Sequence, residues 1–519
     1  MNRVMAITKK YFGRGNHHTD DSGSHDSGSF LDTMQSIFPF LKPGISFPPD
    51  YLKRNDHLFL PARKSSKQLI YPETTSFLVI LLAITTIVLL FLSGVFVTSV
   101  LVIISGLVAF FYFVFMVFKL SVVVTALRFP LIDFTQEEID AITDEELPVY
   151  TVFVPLREEA EVMEQIVAAM RSLDYPEEKM NLIITVEEYD VDTIEAIRRV
   201  GIPESWSVCV LPDTQPKTKP KAMNVAFLQA KGEFSVIYDA EIIPDNDQLK
   251  KAYLAFKKYP EIAAFQTRLD HYNVDQSIVT KLFNTEFSFH YDMFLPGLQR
   301  FNFPIPLSGH SVHFRTEAIR RIGAWDPYNV AEDCEMGMRL FRHGYRSGII
   351  NSFSREEAAG DILGWVKQRT RWQKGFIQTS IVHLRQPFEL YRELGGLRNF
   401  LAFLILVPGT VILSLLNLVT WGLLVWWMLF HPEFIQNMYP LLILDTANIA
   451  AIIGGFLFMY LNLVALYRRD RFHLVKYFFL TPFYWFMLAI ATTRAVWQLR
   501  DSKSAHVWEK TTHGTHLGN

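Results

Sequence analysis

Cysteine is nearly absent. Only Cys209 and Cys334 occur in 519 residues, which excludes a disulfide scaffold and agrees with a catalytic face in a reducing, cytosolic compartment. A basic excess is missing as well. The 50 Lys and Arg against 53 Asp and Glu give a net charge of −3, so no affinity for a nucleic acid polymer is implied. An apolar N-terminus is also lacking: the first residues are polar and the first long apolar run starts near Thr75, so no signal peptide is expected. What the chain has in quantity is hydrophobic sequence, at 50% of residues beside 20% charged. That mixture fits a soluble domain joined to membrane-spanning helices.

Residues 1–70 are rich in Ser, Gly, His, Asp, Pro and Lys and read as a cytosolic tail, partly disordered. Residues 75–118 are almost free of charge and are broken at Ser93-Gly94. Since a helix needs ~20 apolar residues to cross the hydrocarbon core, the region 71–128 is expected to form a transmembrane hairpin. Lys53, Arg54, Arg63, Lys64 and Lys67 precede it and Lys119 and Arg128 follow, placing both ends in the cytosol.

Three further apolar blocks, 400–430, 440–466 and 472–499, form a C-terminal membrane region over 399–500. Arg392 and Arg398 place its start in the cytosol, and Arg468, Arg469 and Arg471 place the loop after the second block there too. Arg494, Arg500 and Lys503 do the same for the chain beyond the third block. Three simple crossings would leave that end outside, so either 472–499, with Pro482 inside it, is re-entrant or interfacial, or 400–430 holds two short passes.

Between the membrane blocks, residues 149–387 change character. Short apolar strands at 150–154, 182–186, 207–211 and 234–238 alternate with helical segments such as 158–173 and 221–231. That alternation predicts an α/β domain with a mostly parallel sheet covered on both faces. Ligands in such sheets bind beyond the carboxyl ends of the strands. Polar groups fall there at Pro155 to Glu159, at Glu187-Glu188 and at Asp239-Ala240-Glu241. Converging carboxylates suit a divalent cation shared with substrate phosphates. Most acidic tripeptides are solvated surface or helix caps, and Asp190-Val191-Asp192 and Asp245-Asn246-Asp247 each precede a helical stretch and read as N-caps. Asp239 differs, because apolar or small residues lead straight into it.

Taken in order, these pieces resemble the membrane-embedded family 2 glycosyltransferases, the group of cellulose, chitin and hyaluronan synthases. They are Val154-Pro155-Leu156-Arg157-Glu158, Glu187-Glu188, Thr218-Lys219-Pro220-Lys221-Ala222, Asp239-Ala240-Glu241, Ser308-Gly309-His310, Glu332-Asp333 and Gln368-Arg369-Thr370-Arg371-Trp372. The resemblance implies a GT-A-like nucleotide-sugar-binding domain inserted between transmembrane helices. It also implies a nucleotide-diphosphate sugar as donor, UDP-glucose or similar, and inversion at the anomeric carbon. Two positions depart from the family pattern: Glu187-Glu188 stands where many relatives have an Asp pair, and Ala331 where a Thr often precedes the Glu-Asp pair.

Under that resemblance Asp333 is the general base and Asp239 and Glu241 hold Mg²⁺ or Mn²⁺. Pro155, Glu158, Glu187, Glu188, Lys219, Lys221, Asp239 and Arg371 contact the donor. Gln368, Trp372, Glu332, Gly309 and His310 line the acceptor site, with Arg371 offering a fork for diphosphate oxygens and Trp372 a flat face for a sugar ring. The plainer reading of the pentad is a basic amphipathic helix at the membrane surface. That of Asp333 is a carboxylate at a helix N-terminus.

In the tail 501–519, Val507 to Gly514 resembles the gating loop of cellulose synthases, with Trp508, Lys510 and Thr511 covering the nucleotide; a polar tail is the alternative. The favoured function is an inverting, metal-dependent transferase that elongates a β-linked polysaccharide and translocates it. Its partners would be the donor, a glycan acceptor and the bilayer, with the catalytic domain on the cytosolic side of a multi-pass plasma (inner) membrane protein. One competing reading is a transferase adding a single sugar to a lipid or protein. A non-catalytic receptor or channel subunit is another, and it predicts loss of the acidic ligands that are present here.

Overall fold

The computed structural model describes residues 41–43, 65–67, 94–430 and 454–507. The strands run β1 (Leu41–Pro43), β2 (Tyr150–Pro155), β3 (Met180–Glu187), β4 (Ser207–Leu211), β5 (Phe234–Ile237), β6 (Ile243–Pro244), β7 (Ile262–His271), β8 (Val312–Arg315) and β9 (Arg346–Glu356). They form one sheet in the order β1-β4-β3-β2-β5-β8-β7-β9-β6.

Half of this sheet follows the sequence pattern. β1, β4, β3, β2 and β5 are parallel, with Val152 of β2 facing Leu182 on one side and Val236 on the other. Val152, Phe153 and Val154 are wholly buried, as are Leu182 to Ile184, as expected of strands covered on both faces. The other half keeps the sheet mostly parallel, and only β8 and β6 run against the remaining strands. β8 runs antiparallel to both β5 and β7, β9 is parallel to β7, and β6 is antiparallel to β9. After β2 the chain builds outward through β3 and β4, then returns to place β5 on the opposite side of β2. A crevice opens beyond the strand ends where the direction of winding reverses.

Eight helices that bear on the site are numbered here: α1 (Gly94–Arg128), α2 (Lys219–Phe227), α3 (Ile278–Phe289), α4 (Glu332–Arg342), α5 (Ile362–Leu384), α6 (Leu397–Leu406), α7 (Pro408–Phe430) and α8 (Thr481–Gln498). α3 continues into a π-helical turn, His290–Phe294. By length and composition, Gly106–Arg128 and Phe472–Gln498 are apolar enough to cross a membrane. α6 and α7 form a further apolar pair, bent by 43° at Val407. The bend falls at Pro408, whose ring and missing N–H break the helical ladder. The first arm of the expected N-terminal hairpin and the middle of the C-terminal region lie outside the described residues, as do Trp508, Lys510 and Thr511.

Two parts of the N-terminal tail are ordered against the domain. β1 pairs with the outer strand β4. Ser65 Oγ donates to Asp326 Oδ1 at 3.0 Å and the Ser66 amide to Asp326 Oδ2 at 2.6 Å. Arg385 Nη1 reaches the Ser65 carbonyl at 3.1 Å.

Candidate active site

Each side chain of the site is placed by a strand end or a helix start. α2 begins at Lys219, with Pro220 in its first turn, where the missing N–H costs nothing. Asn224 of α2 clamps the next segment: its Nδ2 donates to the Trp325 carbonyl at 2.8 Å and its Oδ1 accepts from the Trp325 amide at 3.0 Å. Trp325 sits edge-on between Phe153 and Phe227, at 6.5 and 5.8 Å. This fixes the loop that leads into α4, whose first turn carries Glu332 and Asp333.

The result is a charged centre. Lys219 Nζ lies 2.6 Å from Asp239 Oδ1 and 3.9 Å from Glu332 Oε1, and donates to the Gly309 carbonyl at 3.0 Å. A Cβ on residue 309 would stand 2.8 Å from Asp333 Oδ2 and 3.9 Å from Lys219 Nζ, so glycine lets that carboxylate close against the backbone. Burial, with Glu332 and Asp239 nearby, pushes the Asp333 carboxyl well above the ordinary carboxylate range; Lys219 and Arg371 pull the other way without prevailing. Burial would lower the Lys219 ammonium, but Asp239, Asp333 and Glu332 outweigh it and hold the pKa above the usual lysine value.

These groups open into one cavity of about 360 Å³. Pro155, Glu187, Lys219, Asp239, Glu241 and Asp333 line it. Gly309, Glu332, Gln368, Arg371 and Trp372 share the same lining. Phe115, Phe118, Phe294, Leu406 and Leu488, from α1, the π turn, α6 and α8, line it too, with Lys119, Glu286, His290, Arg369 and Thr410 among the polar groups.

Of the two glutamates after β3, Glu187 faces the cavity. It is buried, and its Oε2 has no hydrogen-bond partner among the described residues. Burial raises its carboxyl. Glu188 turns aside and accepts from the Asp213 amide at 2.6 Å. Arg157 also lines the cavity, with Nη1 on the Lys217 carbonyl at 3.2 Å and a buried Nε lacking a partner among the described residues.

Three more expected donor or acceptor groups, besides Glu188, are placed otherwise. Glu158 does not line the cavity: it adopts a left-handed φ of 57° and its amide donates to Asp190 Oδ2 at 2.5 Å. Lys221 does not line it either, because its ammonium holds the Thr214 carbonyl at 2.7 Å and the Pro212 carbonyl at 3.4 Å, tying down the loop after β4. His310 reaches the wall, yet its ring nitrogens face Gln266 at 3.2 Å and Tyr291 at 3.5 Å. Burial lowers its pKa to about 3, so the ring is neutral and supports the Gly309 turn from behind.

Of the two acidic tripeptides read as caps, Asp190 caps Val191–Val200 by accepting from Thr193. Asp247 takes the N-cap position of Gln248–Lys258 without a side-chain capping bond, its carboxylate pairing with Lys251 at 3.0 Å, while Asp245 accepts from the Phe353 amide at 2.7 Å.

α5 carries the pentad. Trp372 lies nearly parallel to Phe287, with centroids 6.0 Å apart. The Gln368 Oε1 is buried without a partner among the described residues. The residue passed over by the motif is Arg369. It pairs with Glu286, and its guanidinium stands 4.4 Å from the Trp372 ring and 3.0 Å from Tyr484 Oη. Tyr484 donates to Glu286 Oε2 at 2.6 Å and accepts from Trp365 Nε1 at 3.1 Å. The available signal was a lone carboxylate, Glu286, in an aromatic helical stretch.

The carboxylates after β5 are of the hard-donor type that suits a divalent cation. Asp239 and Glu241 line the same wall, and a hard cation is commonly held by one or two carboxylates with substrate phosphates and water completing the shell. Among the described residues no three His, Cys, Asp or Glu groups converge as a metal site.

The sequence pattern of glycosyl transferase family group 2 matches residues 236–497, just over half of the 519. The probable glycosyltransferase YdaM of Bacillus subtilis (strain 168) is 24% identical over 253 residues, 48% of this chain and 60% of that protein. The chain thus spans less than two thirds of that relative's length. Among solved structures, mannosyltransferase PcManGT from Pyrobaculum calidifontis in complex with GDP-Man and Mn²⁺ is 19% identical with a TM-score of 0.46. That match covers 76% of this chain and 98% of the other. S. aureus TarS 1-349 in complex with UDP-GlcNAc is 14% identical with a TM-score of 0.33, covering 63% and 89%.

Proposed function

Because the chain belongs to glycosyl transferase family group 2 and is a glycosyltransferase, we propose that it is an inverting polysaccharide synthase. The donor would be a nucleotide-diphosphate sugar of the UDP-glucose kind, and the product a β-linked glycan that leaves through the helical region. The observation that carries this reading is the single cavity. Its lining includes the carboxylates at the strand ends, Trp372 and residues of α1, α6 and α8, which supports a product path among those helices.

In this mechanism Glu187 accepts hydrogen bonds from the nucleobase, and Arg371 binds diphosphate oxygens. The acceptor sugar stacks on Trp372 while Gln368 and Glu332 bond its hydroxyls. Asp333 removes the proton from the acceptor hydroxyl, whose oxygen attacks the anomeric carbon from the face opposite the diphosphate. The carbon–diphosphate bond breaks, the configuration inverts, and Lys219 with Arg371 offsets the charge of the departing nucleoside diphosphate. Mg²⁺ or Mn²⁺, held by Asp239 and Glu241, would supply further neutralisation of that charge.

The chain is further proposed to be multi-pass in the plasma (inner) membrane with this site on the cytosolic side. The apolar spans and the basic residues Arg392, Arg398, Arg468, Arg469 and Arg471 support that orientation. Incubating the purified protein with a panel of sugar nucleotides and sizing the product tests the reading. A ladder of lengthening glycan supports synthesis by elongation, whereas one added sugar per acceptor favours the single-transfer alternative.

A further inference from the structure

One face of α5 grips the loop that presents Asp333. Residues 371, 375, 378 and 379 recur at helical spacing, so they share a side of the helix. Arg371 Nη1 donates to the Val330 carbonyl at 3.3 Å. Gly375 packs so closely on Ala331 that a Cβ there would meet the Ala331 Cβ at 2.2 Å. Thr379 Oγ1 accepts from Asn329 Nδ2 at 3.0 Å, and Gln378 Oε1 accepts from the Val330 amide at 2.9 Å. Asp333 follows three residues after Val330.

The same helix holds the C-terminal segment that leaves α8. Lys374 Nζ is buried and donates to the Ser504 and Val507 carbonyls, both at 3.0 Å, and to Gln498 Oε1 at 3.2 Å. Gln378 Nε2 donates to the Ala505 carbonyl at 3.0 Å. His506 Nδ1 lies 3.0 Å from the Tyr328 carbonyl, so that nitrogen carries the proton and donates. The 3.5 Å approach of Gln378 Nε2 to the same nitrogen is then a packing contact, because both atoms are donors.

Gln378 therefore spends the two ends of one carboxamide on two different partners. Its oxygen fixes the loop before the base and its nitrogen fixes residue 505. The side chain is fully buried, so neither end has water as a substitute. A planar amide cannot move one end without the other.

We propose that Gln378 is a positioning residue that couples docking of residues 498–507 to the placement of Asp333. Seating the C-terminal segment sets the carboxamide, the carboxamide sets Val330, and Val330 sets the start of α4. The inference rests on Asp333 being the base, and its test separates the two.

Gln378→Glu keeps an oxygen for the Val330 amide but removes the donor to the Ala505 carbonyl. Lys374→Met releases the Ser504 and Val507 carbonyls and leaves the Gln378 carboxamide itself unchanged. Each is expected to lower kcat on the order of 10-fold or more while donor KM stays unchanged, since a displaced base costs turnover and leaves donor binding intact. The two losses must not add: the double variant should be no slower than the worse single one, because both break the same coupling.

Unchanged kcat in both single variants, or losses that multiply in the double variant, would overturn the proposal. Asp333→Asn is measured beside them. If it retains full turnover, the assignment of the base has failed, whereas a dead Asp333→Asn with wild-type kcat for Gln378→Glu and Lys374→Met sinks the coupling alone. Should Lys374→Met not be recovered folded, Lys374→Arg replaces it, since a planar fork cannot reproduce three bonds from one ammonium; the same loss of kcat is expected.

Discussion

Lys219 Nζ sits 2.6 Å from Asp239 Oδ1, and the same ammonium bonds the Gly309 carbonyl at 3.0 Å. The link joins the carboxyl end of β5 to the turn that closes over Asp333. Three carboxylates, Asp239, Glu332 and Asp333, thus share one internal cation.

Replacing Lys219 by methionine keeps the bulk and removes the charge. The expected outcome is a fall in kcat/KM on the order of 10²–10³, comparable to loss of one preorganised charge partner of the leaving group. Steady-state release of nucleoside diphosphate measures it. An unchanged kcat/KM would mean that the ammonium only fills space.

Asp333 must be ionised to act as a base, and its carboxyl is held well above the ordinary carboxylate range by burial and by Glu332. The sign follows directly. Below the raised pKa the base is protonated and idle, so kcat should fall as pH drops, along an acid limb displaced upward from that of a free carboxylate. A kcat profile flat down to the free-carboxylate range would contradict this.

Gly309 tests the close approach of Asp333. Gly309→Ala would place a methyl 2.8 Å from Asp333 Oδ2, closer than a Cβ can sit. The carboxylate must shift, and the expected result is a loss of kcat on the order of 10-fold or more with little change in donor affinity. Kinetics beside a donor-binding titration separate the two quantities.

Tyr484→Phe probes the inner cluster. The substitution takes the acceptor from Trp365 Nε1 and Arg369 Nη2 and a donor from Glu286. Leaving such buried groups short of a partner costs roughly 1–3 kcal/mol. The thermal midpoint in detergent should fall; an unchanged midpoint would remove Tyr484 from the account of what holds α5 against α8.

Legibility in the sequence followed the range of the interactions. β2 to β5 were readable because each is a short continuous apolar run that ends in polar residues. β7 to β9 were not, since a stretch such as Ala264-Phe265-Gln266-Thr267-Arg268 mixes polar and apolar residues, and its pairing with Val312–Arg315 is long-range. Asp239, Lys219 and Asp333, which line one cavity, could be singled out because each motif is local. Glu187 and Glu188 could not be ranked, because adjacent residues at a strand end face opposite ways. Arg369 escaped notice for another reason: Glu286 and Tyr484, which explain it, are 83 and 115 residues away.

The most direct measurement is nucleoside diphosphate release by the purified protein from a panel of nucleotide sugars, with wild type and Asp333→Asn compared at saturating donor. The account predicts turnover with at least one donor, lowered about 10²–10⁴-fold by the substitution while donor binding persists. Equal turnover in the two proteins would contradict it.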